Sequence, residues 1–281
     1  MASAKLNAKI VVITNWRQVM GRKIVVTSGK GGVGKTTVTA GLGRSLASLG
    51  KSVCLVDADI GLNNLDIAME AEDRVIYDLA DCMQAKCRLQ QAVVQDLSQK
   101  NLYFLASGKL VSGGAVNSFA SIVNKLATIF DYVLVDCPAG RDDGFKMAIS
   151  ACEEVILVTT PHPSALRDAS RIANIVRSNL GISAMLVINR QRGDLVASGQ
   201  MLDYPQIAKL LNLQVLGVLP ECDSYNITSS LAGERTAGSK LWVAMCIMGK
   251  NLHNCTNNIY DCTSGYSGVI GSIKRKLKGI S

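Results

Sequence analysis

The 281-residue chain has only two histidines, His162 and His253, and neither is placed for general-base work. His162 stands between two prolines and reads as loop, so no Ser-His-Asp or Cys-His nucleophilic set is present. The nine cysteines are odd in number, scattered and free of any C-x-x-C pair. Cys82 and Cys87 lie five apart, but no matching second pair follows, which argues against a metal or cluster site. Cys54, Cys137 and Cys152 fall in or beside apolar runs and read as small core residues, in a chain kept reduced in the cytoplasm. No apolar run approaches the ~18 residues of a membrane span. The first nineteen residues lack the long apolar region and cleavage site of a secretory signal, so 1–21 reads as a disordered extension. Acidic residues are missing from both ends. Residues 1–23 carry five bases and no acid, and 234–281 carry seven bases against two acids. The ends thus hold +10 of a total of +8, which leaves 24–233 at −2. A body of that charge is not a nucleic-acid-binding surface, and no specific nucleic-acid partner is expected. Basic ends suit an acidic surface such as anionic lipid.

What is present is concentrated at residues 29–37. Gly29, Lys30, Gly31, Gly32, Val33, Gly34, Lys35, Thr36 and Thr37 contain the frame G-x-x-x-x-G-K-[ST]. Glycines let backbone N–H groups close around a phosphate without Cβ clashes. Lys35 reaches the β/γ-phosphates of ATP, and the Thr36 hydroxyl ligates Mg²⁺. Lys30 is not required by the frame and adds a second cation beside the triphosphate. A β-branched run at 23–27 precedes the loop, and apolar residues at helical spacing follow it from Val38 to Leu49. Strand, loop and helix in that order set a helix N-terminus against phosphate.

Short runs that are apolar on both faces recur at 52–56, 102–105, 132–135, 155–159, 184–188 and 215–219. Helical patterns fall at 75–82, 115–130, 145–152, 164–180, 205–211 and 239–252. The alternation predicts an α/β domain with a doubly wound, mostly parallel sheet over 22–252. A polar segment, 253–265, reads as a linker.

Two further strand ends carry acids. The run Asp57-Ala58-Asp59 closes the second strand, where open α/β sheets bind ligands. Asp59 is the candidate for orienting the attacking water and supporting Mg²⁺, with Asp57 and Asp66 as alternatives. The strand before Asp136-Cys137-Pro138-Ala139-Gly140 ends on an acid in the Walker-B manner, and Asp136 holds Mg²⁺ through water. Asn189 and Arg190 end a later strand. The Asn189 amide suits the adenine edge, or simply ends the strand in a turn. Pro220 closes the last strand and walls the base pocket.

The C-terminal segment 266–281 has its apolar residues Tyr266, Val269, Ile270, Ile273, Leu277 and Ile280 on one arc of roughly 100° at helical spacing. Lys274 and Lys276 flank the arc, and no acid follows Asp261. A short cationic amphipathic helix is either an interfacial membrane anchor or a helix packed on the body. The one-sided charge favours lipid.

These residues carry a family resemblance. Lys30 to Thr37 resembles the deviant Walker A of the ParA/MinD P-loop ATPases. Asp57 to Asp66 and Asp136 to Gly140 resemble the family's two switch segments. Thr159-Thr160-Pro161 with Ser164 to Asp168, and the amphipathic tail, are similar to segments of its septum-positioning branch. The resemblance implies a P-loop NTPase fold of the SIMIBI type and ATP hydrolysis with catalytic roles for Lys30, Lys35 and Asp59. It implies a homodimer in the ATP state, with Lys30 reaching the phosphates of the opposite subunit, and an adenine contact from Asn189. It also implies peripheral binding to the inner face of the cell membrane, recruitment of a MinC-like division inhibitor, and a MinE-like activator. DNA-matrix partition ATPases and flagellar-number regulators share the fold and are the alternatives. So is a non-hydrolysing scaffold. Iron–sulfur carrier relatives need paired cysteines at a dimer seam, and the spacings here do not supply them.

Overall fold

The computed structural model describes residues 20–59, 65–108, 115–178, 182–222, 239–266 and Gly271, with backbone only for 115–117. The segment read as an N-terminal extension, up to residue 19, and most of the amphipathic tail lie outside the described residues, including Val269, Ile270, Ile273, Lys274, Lys276, Leu277 and Ile280.

Eight strands form one sheet: β1 (Arg22–Thr27), β2 (Val53–Asp57), β3 (Val93–Gln95), β4 (Leu102–Leu105), β5 (Tyr132–Asp136), β6 (Glu154–Thr159), β7 (Ser183–Gln191) and β8 (Gln214–Pro220). Their order is β3-β4-β2-β5-β1-β6-β7-β8, and only the β3–β4 pair is antiparallel. β2 and β5 are buried along their whole length, as both-face apolar runs require. Side chains alternate between two cores. Ile24 and Val26 join Leu55, Leu134 and the helices Lys35–Ser48 and Lys240–Asn254 on one face. Val25 joins Cys54, Val133 and the helices Ala115–Ala127, Asp143–Ala151, Pro163–Ser178 and Tyr204–Leu211 on the other. Cys54, Cys137 and Cys152 are buried in the second core.

The central position of β1, between β5 and β6, creates the crevice. The chain runs from β1 outward to β2 on one side and later crosses to β6 on the other, so the winding reverses at β1. The register sets Val26 beside Asp136 and Asp57 beside Asp136, which brings three strand ends to one level.

Local chemistry moved some boundaries. A helix over 75–82 is not what forms. Glu72–Arg74 is a 3₁₀ turn, and the helix is Leu79–Met83. Asp78 caps it, accepting from the Asp81 N–H while the Asp81 carboxylate accepts from the Asp78 N–H. The last long helix runs through Asn254, two residues into the segment read as a linker, and Ser239 caps its start. Residues 255–258 are exposed but tied back to the helix by hydrogen bonds. Asn251 donates to Leu216 O and Asn258 O, and its side-chain oxygen accepts from Thr256 and the Asn258 N–H.

The opposite rim of the sheet is clasped. Arg22 pairs with Glu154 in two bonds, Nε–Oε1 at 2.7 Å and Nη2–Oε2 at 2.6 Å, and its Nη1 donates to Leu252 O at 2.6 Å. The guanidinium also lies over the Tyr132 ring, whose hydroxyl is bonded to His253 Nδ1 at 2.9 Å. The planar fork satisfies several acceptors at once and joins the last helix to β1 and β6.

Candidate functional site

The phosphate loop occupies 28–34 between β1 and the helix beginning at Lys35. Two glycines of the loop are demanded by close contacts, and Gly32 by its φ of +75°. Gly34 has φ +93°, and a Cβ there would meet Asn189 Nδ2 at 2.3 Å. A Cβ on Gly29 would meet the Asp168 backbone at 2.3 Å, so this residue lets the helix Pro163–Ser178 approach the loop. Gly31 and Gly32 face open space, with nothing within 4 Å of a Cβ.

Lys35, at the first helical position, is buried. Thr36 Oγ1 donates to Asp136 Oδ2 at 2.6 Å, and Thr39 Oγ1 donates to Asp136 Oδ1 at 3.2 Å. The loop, Thr37, Asp59, Ile67, Pro138 and Asp142 bound a cavity of about 680 Å³. Asp59 therefore lines the cavity. Asp57 does not line it: its carboxylate accepts from the Asp59 N–H at 2.9 Å and the Leu65 N–H at 3.2 Å, which ties together the two ends of segment 60–64. Asp66 is spent on its own neighbour, accepting from the Ile67 N–H at 2.8 Å. Of the three acids weighed for the water-orienting role, only Asp59 faces the cavity.

Burial pushes the Asp57 carboxyl up to about 7, and the neighbouring Asp136 charge adds to it. Burial also pushes Asp136 up to about 6, against the lowering effects of the Thr36 bond and the Lys35 charge. A cation at this rim would favour the ionised forms. The donors on offer are hydroxyl and carboxylate oxygens from Thr36, Asp136 and Asp59. They fit Mg²⁺, which takes one or two protein carboxylates and completes its shell with phosphates and water. When bound, Mg²⁺ would neutralise charge on the phosphates.

Lys30 turns away from the phosphate cavity. Its Nζ donates to Ser164 Oγ at 2.9 Å, an oxygen also bonded to His162 Nδ1. A second cavity of about 1070 Å³ opens there, bordered by Lys30, Val33, Pro161, Arg167, Met201 and Leu210. Asn189 is buried, donates to Val33 O at 2.9 Å and accepts from the Arg190 N–H, so its amide braces the loop. Arg190, at φ +58°, lies between the two cavities. Pro220 pairs with Gln191 and lines a separate cavity of about 440 Å³. Tyr266 closes a turn with its N–H on Thr263 O at 2.8 Å.

A glycine loop on a central parallel strand, with Thr36 bonded to an aspartate on the adjacent strand, defines a P-loop nucleoside triphosphatase. Comparison with known proteins narrows the class. A family model, ParA (NUBPL iron-transfer P-loop NTPase), matches residues 19–193. The septum site-determining protein MinD of Bacillus subtilis is 44% identical over 222 residues, 78% of this chain and 82% of that protein. MinD of Synechocystis is 37% identical over 265 residues, 92% of this chain and 100% of that protein. Among solved structures, the MinC:MinD complex of Aquifex aeolicus has a TM-score of 0.75 at 32% identity, covering 83% of this chain and 96% of that one. MinD of Pyrococcus horikoshii with Mg-ADP has a TM-score of 0.73 at 27% identity, covering 84% and 97%. The chain belongs to the ParA/MinD family of P-loop ATPases, and septum site-determining MinD proteins are its relatives over most of its length. Mg²⁺ and nucleotide binding are therefore properties of its family.

Proposed function

We propose that this ATPase is a dimerising membrane switch that places the division septum. ATP and Mg²⁺ occupy the cavity of Lys35, Thr36 and Asp59, Asp136 supports the metal from behind Thr36, and Asp59 orients the attacking water. Two chains face each other across the nucleotides, and the Lys30 of each reaches the phosphates of the other. The observation that carries this reading is the direction of Lys30, which is bonded to Ser164 on an open face rather than folded over its own loop. Arg190 borders the base in this reading, and the buried Asn189 amide would meet the adenine only by giving up its bond to Val33 O.

The C-terminal segment is then the membrane contact, with Tyr266 and Lys274 among its residues. Each basic residue adds about 1 kcal/mol near anionic lipid, and one such anchor binds reversibly. Two anchors on a dimer act at high effective concentration, so ATP controls residence on the inner face of the cell membrane. Among the described residues no helix is long and apolar enough to cross a membrane. The ATP dimer recruits a MinC-like inhibitor, a reading supported by the existence of a MinC:MinD complex from Aquifex aeolicus, and a MinE-like activator triggers hydrolysis and release.

Sedimentation with anionic vesicles in ATP, ADP and no nucleotide tests the switch. The full chain should pellet with ATP, and a chain truncated before Tyr266 should not. Equal binding in all three nucleotide states overturns it. Lys30→Ala should lose dimerisation and vesicle binding more than monomer nucleotide binding, whereas Lys35→Ala should lose nucleotide binding itself.

A further inference from the structure

The turn that ends the helix Leu79–Met83 brings two thiols into contact. The Lys86 N–H bonds Asp81 O at 3.0 Å, the Ala85 N–H bonds Cys82 O at 3.1 Å, and Ala85 takes φ +56°. These paired bonds and the left-handed residue form a Schellman turn. It reverses the chain and carries Cys87 back beside Cys82, with the two Sγ atoms 3.5 Å apart. A continuous helix would not do so, since residues five apart point roughly 140° from each other. Both cysteines are half-buried against the core under the helix Ala115–Ala127. A cavity of about 510 Å³ opens on them, with the exposed cations Arg88 and Lys125 at its edge. Neither cysteine lines the phosphate cavity. A metal does not explain the pair, because no group of three or more His, Cys, Asp or Glu side chains placed to hold one occurs among the described residues.

We propose that Cys82 and Cys87 are a disulfide-forming pair, oxidised by a small disulfide bearing carboxylates, of which glutathione disulfide is the probe. The carboxylates meet Arg88 and Lys125 while the thiols face the cavity. The Cys87 thiolate attacks one sulfur of the oxidant, forms a mixed disulfide and expels the first thiolate, which takes up a proton. Cys82 then loses its proton to solvent, and its sulfur attacks Cys87 Sγ, closing the protein disulfide and releasing the second thiolate, which is protonated in turn. Two electrons pass from the protein dithiol to the oxidant, which leaves as two thiols. Cys87, directly beside the exposed Arg88 at the cavity edge, makes the first attack, and burial pushes the Cys82 thiol up to about 12. The backbone bonds of the turn hold the two sulfurs 3.5 Å apart, and bond formation brings them to about 2 Å.

Trypsin cuts after Lys86 and separates the two cysteines unless they are joined. The full-length protein is exposed to glutathione disulfide, its free thiols are blocked with N-ethylmaleimide, and the digest is read by mass. The expected result is a peptide ending at Lys86 linked to Cys87-Arg88 and lost on reduction. Cys82→Ser, checked for ADP binding to show that it folds, should instead hold one glutathione on Cys87. Recovery of both cysteines blocked by maleimide overturns the proposal. So does glutathione retained on wild-type Cys87 without the link, or its absence from Cys87 in Cys82→Ser.

Discussion

The two rims of the sheet treat their charged groups in opposite ways. At the amino-end rim, Arg22 finds Glu154, Leu252 O and the Tyr132 ring, and its charge is answered within the protein. At the carboxyl-end rim, Asp57 and Asp136 sit side by side in paired strands, and burial raises both. Thr36, Thr39 and Lys35 offset part of that cost at Asp136. The difference teaches where the fold keeps its stability and where it keeps its chemistry. A self-sufficient rim holds the last helix, while the other is left short of positive charge that a cation would bring.

Substitutions can break or sharpen that contrast. The largest effect belongs to Asp136→Asn. It should lower phosphate release by about 10²-fold or more, as loss of a group that serves developing charge does. Its unfolding temperature without ligand should not fall, because a buried carboxylate is replaced by a neutral amide. A large drop in that temperature would erase the distinction between the rims. Asp59→Ala should cost about 10²-fold in phosphate release and retain nucleotide affinity, read by fluorescent-nucleotide titration. Wild-type turnover in that variant would favour a non-hydrolysing scaffold. At the clasp, Arg22→Met should cost about 1–3 kcal/mol in denaturant unfolding and leave turnover per folded molecule unchanged. The smallest effect belongs to Glu153→Gln. The Lys23–Glu153 pair spans only 2.7 Å, but its carboxylate is 70% exposed, so its loss should cost under about 0.5 kcal/mol.

The seven parallel strands were legible because a buried strand must be apolar on both faces, and β-branched runs of that kind stand out between helical patterns. β3 escaped because two half-buried residues and one exposed one at an antiparallel edge carry no period. The short helices Leu65–Ala68, Leu89–Ala92 and Gly193–Ala197 escaped for the same reason. The start of the helix at Leu79 was signalled by Asp78 and Asp81 three residues apart, a capping pair overshadowed by the apolar residues before it. At the site, the glycine frame, Thr36 and Asp136 could be read from motif and spacing. The division of labour among Asp57, Asp59 and Asp66 could not, because it depends on which carboxylate meets a backbone N–H across a bend. Asn189 posed the same difficulty: its bond to Val33 O joins residues 156 positions apart. The meeting of Cys82 with Cys87 depends on one left-handed residue, Ala85, which is not glycine and gives no cue.

Gly29 has a mechanical consequence. Its Cα rests against the Asp168 backbone with no room for a single methyl group between them. Contacts through long side chains absorb small displacements by changing rotamer, but backbone against backbone has no such slack. The helix Pro163–Ser178 and the phosphate loop therefore meet as two parts of a bearing with zero clearance. A displacement of that helix toward the loop meets no slack at this contact.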